Sequence, residues 1–184
     1  HFSNSLNGSI TSLTQNSALI KQIYFPREIF AITKVGSSLV IATLGLFVSV
    51  PFMYVLEIQP NQNLLMVPIG LIMVSFLSLG VGLLLACLNA VNRDIEHFFR
   101  FVTRAGFFLS PVMWTIEMVP KSMEDYIMAN PMVVPITMIR NGIDGRSLGI
   151  DSIYVAYSGL FCVLSLLLGC MVFKYYEARV VKKL

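Results

Sequence analysis

The sequence predicts an all-α integral membrane protein: four complete transmembrane helices, the end of a preceding one, and short interfacial or re-entrant helices in the last external segment. Three observations carry this. Of 184 residues, 56% are hydrophobic and only 12% charged, about half the charge of a soluble globular domain. The mean hydropathy is +0.76. The apolar residues also fall in blocks longer than a soluble core helix needs, so lipid is the solvent for most of the chain.

Residues 1–15, HFSNSLNGSITSLTQ, are rich in hydroxyls and amides and lack an initiator Met, an n-region and a cleavage site. They read as the cytoplasmic end of a span whose start is missing, in a truncated chain. Residues 16–32 form a polar, charged interruption. Pro26 suits the first turn of a short helix and Glu28 its positive N-terminal end. Lys21, Arg27 and Lys34 make this stretch basic, with Tyr24 and Phe25 beside it.

Residues 33–56 are the first complete span, with small residues at Gly36, Ser38, Ala42, Gly45 and Ser49 and a proline at Pro51. After a turn without Lys or Arg, residues 64–90 are the second. Here Ser78, Gly82, Ala86 and Ala90 recur every four residues, a small-residue face that admits a neighbouring helix closely. A polar break, NRDIEH, leads into a third span at 98–116, aromatic and carrying two arginines. Residues 117–151 are too interrupted by Pro, Met and acidic residues to span as a plain helix, and are expected to hold short helices in or dipping into the interface. Residues 152–173 are the fourth span, and 174–184 a basic cytoplasmic tail.

Charge sets the orientation. Lys21, Arg27, Lys34, Arg93, Arg100, Arg104, Lys174, Arg179, Lys182 and Lys183 fall on one side, and only Lys121, Arg140 and Arg146 on the other. The basic side is the cytoplasmic one. A net charge of +3 is too small to point to nucleic acid.

No catalytic or metal constellation is present. There is no GxxxxGK[ST], HExxH or GxSxG, and the GVG at 80–82 lacks a third glycine and lies within a span. His97 reads as a surface histidine at a membrane boundary. Cys87, Cys162 and Cys170 lie in apolar spans without CxxC spacing and read as small buried side chains.

The third span carries more information. Arg100, Arg104, Phe107, Pro111 and Trp114 follow helical spacing along one face, with Phe98, Phe101, Ala105 and Phe108 on the neighbouring one. An arginine facing lipid near the bilayer centre costs about 3 kcal/mol. Arg104 therefore either snorkels back or faces protein, water or an anion. Rings beside fixed positive charge would suit a sugar chain or a phosphate-linked lipid head group.

Taken in order, NSALIKQIYFPREIF, LLLACLNAVNRDIEHF, FFLSPVMW and the Asn130-Pro131 pair with Arg140 and Gly142 resemble the membrane permease of ABC-type polysaccharide exporters. That family exports O-antigen, capsule or teichoic acid chains across the bacterial plasma (inner) membrane. The resemblance implies six spans in the full protein, the first and most of the second missing here. It also implies a permease homodimer with two copies of a separate ATPase subunit that binds ATP and Mg, and no cofactor on this chain.

On that resemblance, Lys21, Tyr24, Phe25, Pro26, Arg27 and Glu28 would dock into the ATPase, with Arg93, Asp94 and Glu96 nearby. Phe98, Arg100, Phe101, Arg104, Phe107, Phe108 and Trp114 would line the path of a lipid-linked polysaccharide amid membrane lipid. Asn130, Pro131 and Arg140 would belong to an external gate. Two other readings stand beside this one: an ABC permease for a drug or small lipid, and a membrane-embedded enzyme of lipid-linked glycan assembly acting through Asp94, Glu96 and His97.

Overall fold

Residues 66–91 contain no charged residue and supply the axis of the fold. The computed structural model describes residues 1–22, 26–55, 57 and 62–181, with side chains described to residue 177, and every regular element among the described residues is helical. In chain order the helices are α1 (Phe2–Gln15), α2 (Ser17–Gln22), α3 (Glu28–Phe47), α4 (Ser49–Val55), α5 (Met66–Val91), α6 (Asp94–Leu109), α7 (Lys121–Met128), α8 (Val133–Asp144) and α9 (Ser152–Val181). Single 3-10 turns at Gln62–Leu65 and Ile116–Met118 precede α5 and α7.

The central α5 packs against α1, α9, α8 and α3. Two of its glycines admit two neighbours. A Cβ on Gly82 would stand 2.5 Å from Ser9 Cβ of α1, so the small-residue face read from the sequence receives a helix of the same chain. On another face, a Cβ on Gly80 would stand 2.3 Å from the Ser165 backbone of α9, and one on Gly169 would stand 2.3 Å from Gly80 O. The α5–α9 backbones therefore meet with no room for a side chain between them, the contact that small residues permit in lipid.

The polar look of residues 1–15 has a packing explanation. Ser5, Ser9 and Ser12 are fully buried, and hydroxyls of α1 bond back to its own carbonyls, Ser12 to Ser9 O at 2.7 Å and Thr11 to Asn7 O at 3.1 Å. Ser12 and Thr11 thus satisfy their own hydroxyls, while the buried Ser9 hydroxyl has no hydrogen-bond partner among the described residues, and all are small enough to let α1 lie close to α5. His1 ties three helices together through Ser38 of α3 at 3.1 Å and Ser75 of α5 at 2.9 Å.

Three stretches are long and apolar enough to cross a membrane: Glu28–Val55, Gln62–Val91 and Ser152–Glu177. The first begins earlier than the expected 33, because Glu28 opens α3 directly. The helix expected to be short at Pro26 is therefore a long one, and the short helix of this region is α2. At the other end of the first span, α3 gives way to α4 at Val48, where Pro51 lacks the N–H that would bond Phe47 O.

The expected third span is corrected. Its helix starts four residues sooner, at Asp94, and stops at Leu109 rather than continuing to Ile116. Pro111 is the cause, since it disfavours helical backbone in the residue before it, and Ser110 is extended at φ −95°, ψ 150°. Sixteen residues measure about 24 Å, short of a ~30 Å hydrocarbon core. The four complete spans expected reduce to three long apolar helices plus this shorter one.

Residues 117–151 hold the short helices expected there, α7 and α8. The α8 helix ends at Gly145, whose φ of 72° is left-handed, a conformation glycine adopts without a Cβ clash.

Candidate functional site

Two clusters of predicted residues lie at opposite ends of the bundle, with α6 between them. At the basic end, Ile20 of α2 is buried with Leu13 of α1, Ala31 of α3, Leu83, Ala86 and Cys87 of α5, and Phe173 of α9. The segment read as a docking loop is thus rooted in the core by its own apolar side. Pro26 and Lys21 are exposed, while Tyr24 and Phe25 lie outside the described residues.

Arg27 turns inward. Its guanidinium meets Glu177 of α9 at 3.1 Å, and the Arg27 side chain is only 16% exposed. Such a pair holds the segment to α9. Glu28, half-buried, opens α3, where its carboxylate faces the positive end of the helix.

The second basic-end loop is set by two asparagines. Asn92 Oδ1 accepts the backbone N–H of Asp94 at 3.1 Å, starting α6. Asn89, fully buried, donates to Ile10 O of α1 at 3.2 Å and accepts from Glu96 N at 3.1 Å. One side chain thereby joins α1, α5 and α6. Sequence reasoning passed over Asn89, although a lone amide inside an apolar run was the available signal. Arg93 and Asp94 are exposed, and Glu96 pairs with Arg100 one turn along.

The phenylalanines of α6 divide by face. Phe99 packs toward Leu6, Ile10 and Leu85, and Thr103 is buried beside it along the helix. Phe98, Phe101 and Phe108 point away from the bundle at 61%, 69% and 70% exposure. Arg100 and Arg104 share that outward side. Phe107 instead reaches a cavity of about 560 Å³ bounded by α1, α5, α6 and the Asn130–Met132 turn. Trp114 and Pro111 do not continue the helical face expected of them, because both lie beyond the end of α6.

At the opposite end, the non-helical stretch after α6 is held by side chains. Arg140 of α8 donates to Trp114 O and to Val112 O, both at 2.8 Å, and Trp114 Nε1 donates to Phe108 O at 3.1 Å. Asn130 reaches Ser110 Oγ at 3.4 Å and caps the following turn by accepting from Met132 N at 3.0 Å. Irregular backbone at membrane depth needs such donors, since lipid supplies none.

The α9 helix then binds this segment from its own side. Ser158 donates to Pro131 O at 2.8 Å, Tyr157 to Ala129 O at 3.2 Å, and Tyr154 to Asp125 Oδ1 at 2.5 Å. Asn130, Pro131 and Arg140, expected together from the sequence, are all part of this hydrogen-bonded assembly.

Residues 1–143 match the family model described as ABC-2 type transporter. The chain belongs to the ABC-2 type transporter family. Among curated proteins this family member is similar to an O-antigen export system permease protein of Klebsiella pneumoniae, 24% identical over 160 residues, 85% of this chain and 61% of that protein. A second Klebsiella pneumoniae permease of the same description is 24% identical over 135 residues, covering 71% of this chain and 51% of its own length. One from Myxococcus xanthus is 26% identical over 139 residues, covering 72% and 52%. The chain spans between about half and three fifths of these relatives. With its long apolar helices, this ABC-2 chain is a multi-pass integral protein of the bacterial plasma (inner) membrane.

Proposed function

We propose that this ABC-2 chain belongs to the permease half of an ATP-driven exporter that moves a lipid-linked polysaccharide, of the O-antigen type, out across the plasma membrane. The observation that carries the reading is its similarity over 85% of its length to an O-antigen export permease. The basic end, where α2, α3, α5 and α9 meet at Ile20 and Phe173, would receive the ATPase. Two permease copies and two ATPase copies would form the exporter, ATP and Mg being held by the ATPase. This chain carries no phosphate-cradling loop of its own in its sequence.

The outward side of α6, with Phe98, Phe101 and Phe108 beside Arg100 and Arg104, would face the second copy and the glycan path. Cations there suit a phosphate-linked head group, and ring faces suit sugars. Closure of the ATPase dimer would push the basic-end segment and shift the helices between closed and conducting arrangements. The drug or small-lipid permease shares this plan and differs in cargo. An assembly enzyme would have to work through Asp94, Glu96 and His97, and Glu96 is already paired with Arg100.

Purification of the full-length protein from its host in mild detergent tests the partner. An ATPase with a phosphate-binding loop should co-purify in stoichiometric amount and be lost on Pro26→Asp, an exposed position two residues before α3. No ATPase across several detergents, with the chain still folded, would refute the exporter reading.

A further inference from the structure

The α9 helix carries side-chain attachments at both ends of the candidate site. We infer that α9 is a lever that links the basic-end segment to the opposite-end gate, with Glu177 as the residue that couples it; the inference rests on the exporter reading. Three separate attachments on α9 carry it. At the basic end, Glu177 holds Arg27 at 3.1 Å and Phe173, 1% exposed, sits in the cluster that contains Ile20 of α2. At the other end, Ser158, Tyr157 and Tyr154 bond Pro131 O, Ala129 O and Asp125. Between them, Ser165 and Gly169 lie against Gly80 of α5 with no space for a Cβ.

The middle contact is the fulcrum. Backbones in direct contact there fix α9 against α5, and a close-packed contact transmits strain instead of absorbing it. From that patch the inner arm, Gly169 to Glu177, runs about 12 Å and the outer arm, Ser165 to Tyr154, about 16 Å along a helix rising 1.5 Å per residue. Side chains of α9 on the opposite face, such as Leu160, Leu164 and Leu168, are exposed, so α9 is held chiefly along the one face that packs on α5. A push on Ile20 or Arg27 would then be delivered to Pro131 and Ala129 through a single rigid element, one of the physical carriers of coupling between distant sites. Glu177 is a positioning residue, since it acts through Arg27.

The test uses the full-length permease with its ATPase in membrane vesicles and reads glycan exported per ATP hydrolysed. The variants are Glu177→Gln at the inner pin, Tyr154→Phe with Ser158→Ala at the outer pin, both ends together, and the charge swap Arg27→Glu with Glu177→Arg. Each end alone should lower export per ATP about tenfold, within the ordinary range of a coupling between sites. The combination should be no worse than either alone, because both break one connection, and the swap should recover most of the ratio. A purely structural role would lower the yield of complex and leave the ratio intact. Multiplicative losses, a parental ratio for Glu177→Gln, or a swap that recovers nothing would each overturn the lever. If the parent complex neither assembles with an ATPase nor exports, the exporter reading fails and the lever falls with it.

Discussion

Arg140 donates to two backbone carbonyls, Trp114 O and Val112 O, where the chain leaves the helical state. Arg140→Ala leaves both acceptors without this donor, at about 1–3 kcal/mol for the part-buried Trp114 O and less for the exposed Val112 O. Arg140→Lys should recover only part of this, because an ammonium cannot reproduce the planar fork. Denaturant titration in detergent micelles should show both variants destabilised, alanine more than lysine; equal stability of all three would remove the clamp. Asn89→Leu should cost about 1–3 kcal/mol by leaving Ile10 O and the Glu96 N–H without their partner, read as a lower melting temperature of the purified protein. Arg104 belongs at this scale as well. It is exposed on α6, and Arg104→Ala should cut export severalfold, as loss of a cation from the substrate path would, while the complex still assembles; unchanged export would make it a snorkelling anchor. Residue roles were the least legible level of the sequence. Arg140 was selected through a resemblance, and its carbonyl partners became visible only with the fold. Arg27, read as a contact for another protein, has its partner 150 positions along the chain at Glu177, a pairing no local pattern encodes.

Elements were legible where periodicity and composition agreed. The apolar runs of α3, α5 and α9 needed only length, and the four-residue repeat through Gly82 marked the face that α1 covers. Gly80 carries no periodic signal in the sequence, yet it permits the α5–α9 contact, where an added Cβ would stand 2.3 Å from the Ser165 backbone. Gly80→Val should therefore force α5 and α9 apart at an overpacking cost of about 1–3 kcal/mol or more, lowering the folded yield in membranes, whereas Gly45→Val, with nothing within 4 Å of its added Cβ, should not. Equal yields would show that the crossing is not tight. The α6 helix was misjudged for a definable reason. Its apolar run continues past Pro111, so hydropathy alone extends the helix to Ile116, whereas the proline ends it at Leu109 and Trp114 leaves the helical face its spacing suggests. The hydroxyl-rich α1, read from the sequence as the end of a span, owes its composition to close packing, since its serines are buried.

For the whole molecule, charge distribution was the most readable feature. Basic residues gather at the end that holds Arg27 and Arg93, and acidic ones at the end that holds Glu124, Asp125 and Asp151, and the positive-inside rule predicts the basic end to be cytoplasmic. Membrane-impermeant labelling of single cysteines should then reach Tyr126→Cys from outside intact cells and Arg93→Cys only after permeabilisation; the reverse would invert the topology. The linkage of both clusters to α9 could not be read from the sequence, because it depends on contacts such as Arg27–Glu177, 150 positions apart, and Ser158–Pro131, 27 apart, that no local pattern encodes. The central claim, polysaccharide export, is tested most directly by deleting the gene for the full-length protein in its host and measuring on which membrane leaflet the lipid-linked glycan lies. Export predicts finished lipid-linked glycan accumulating on the cytoplasmic leaflet, with the surface bare until the parent gene is restored. Normal surface glycan, or a failure to make the lipid-linked glycan at all, would contradict it, the latter in favour of an enzyme of glycan assembly.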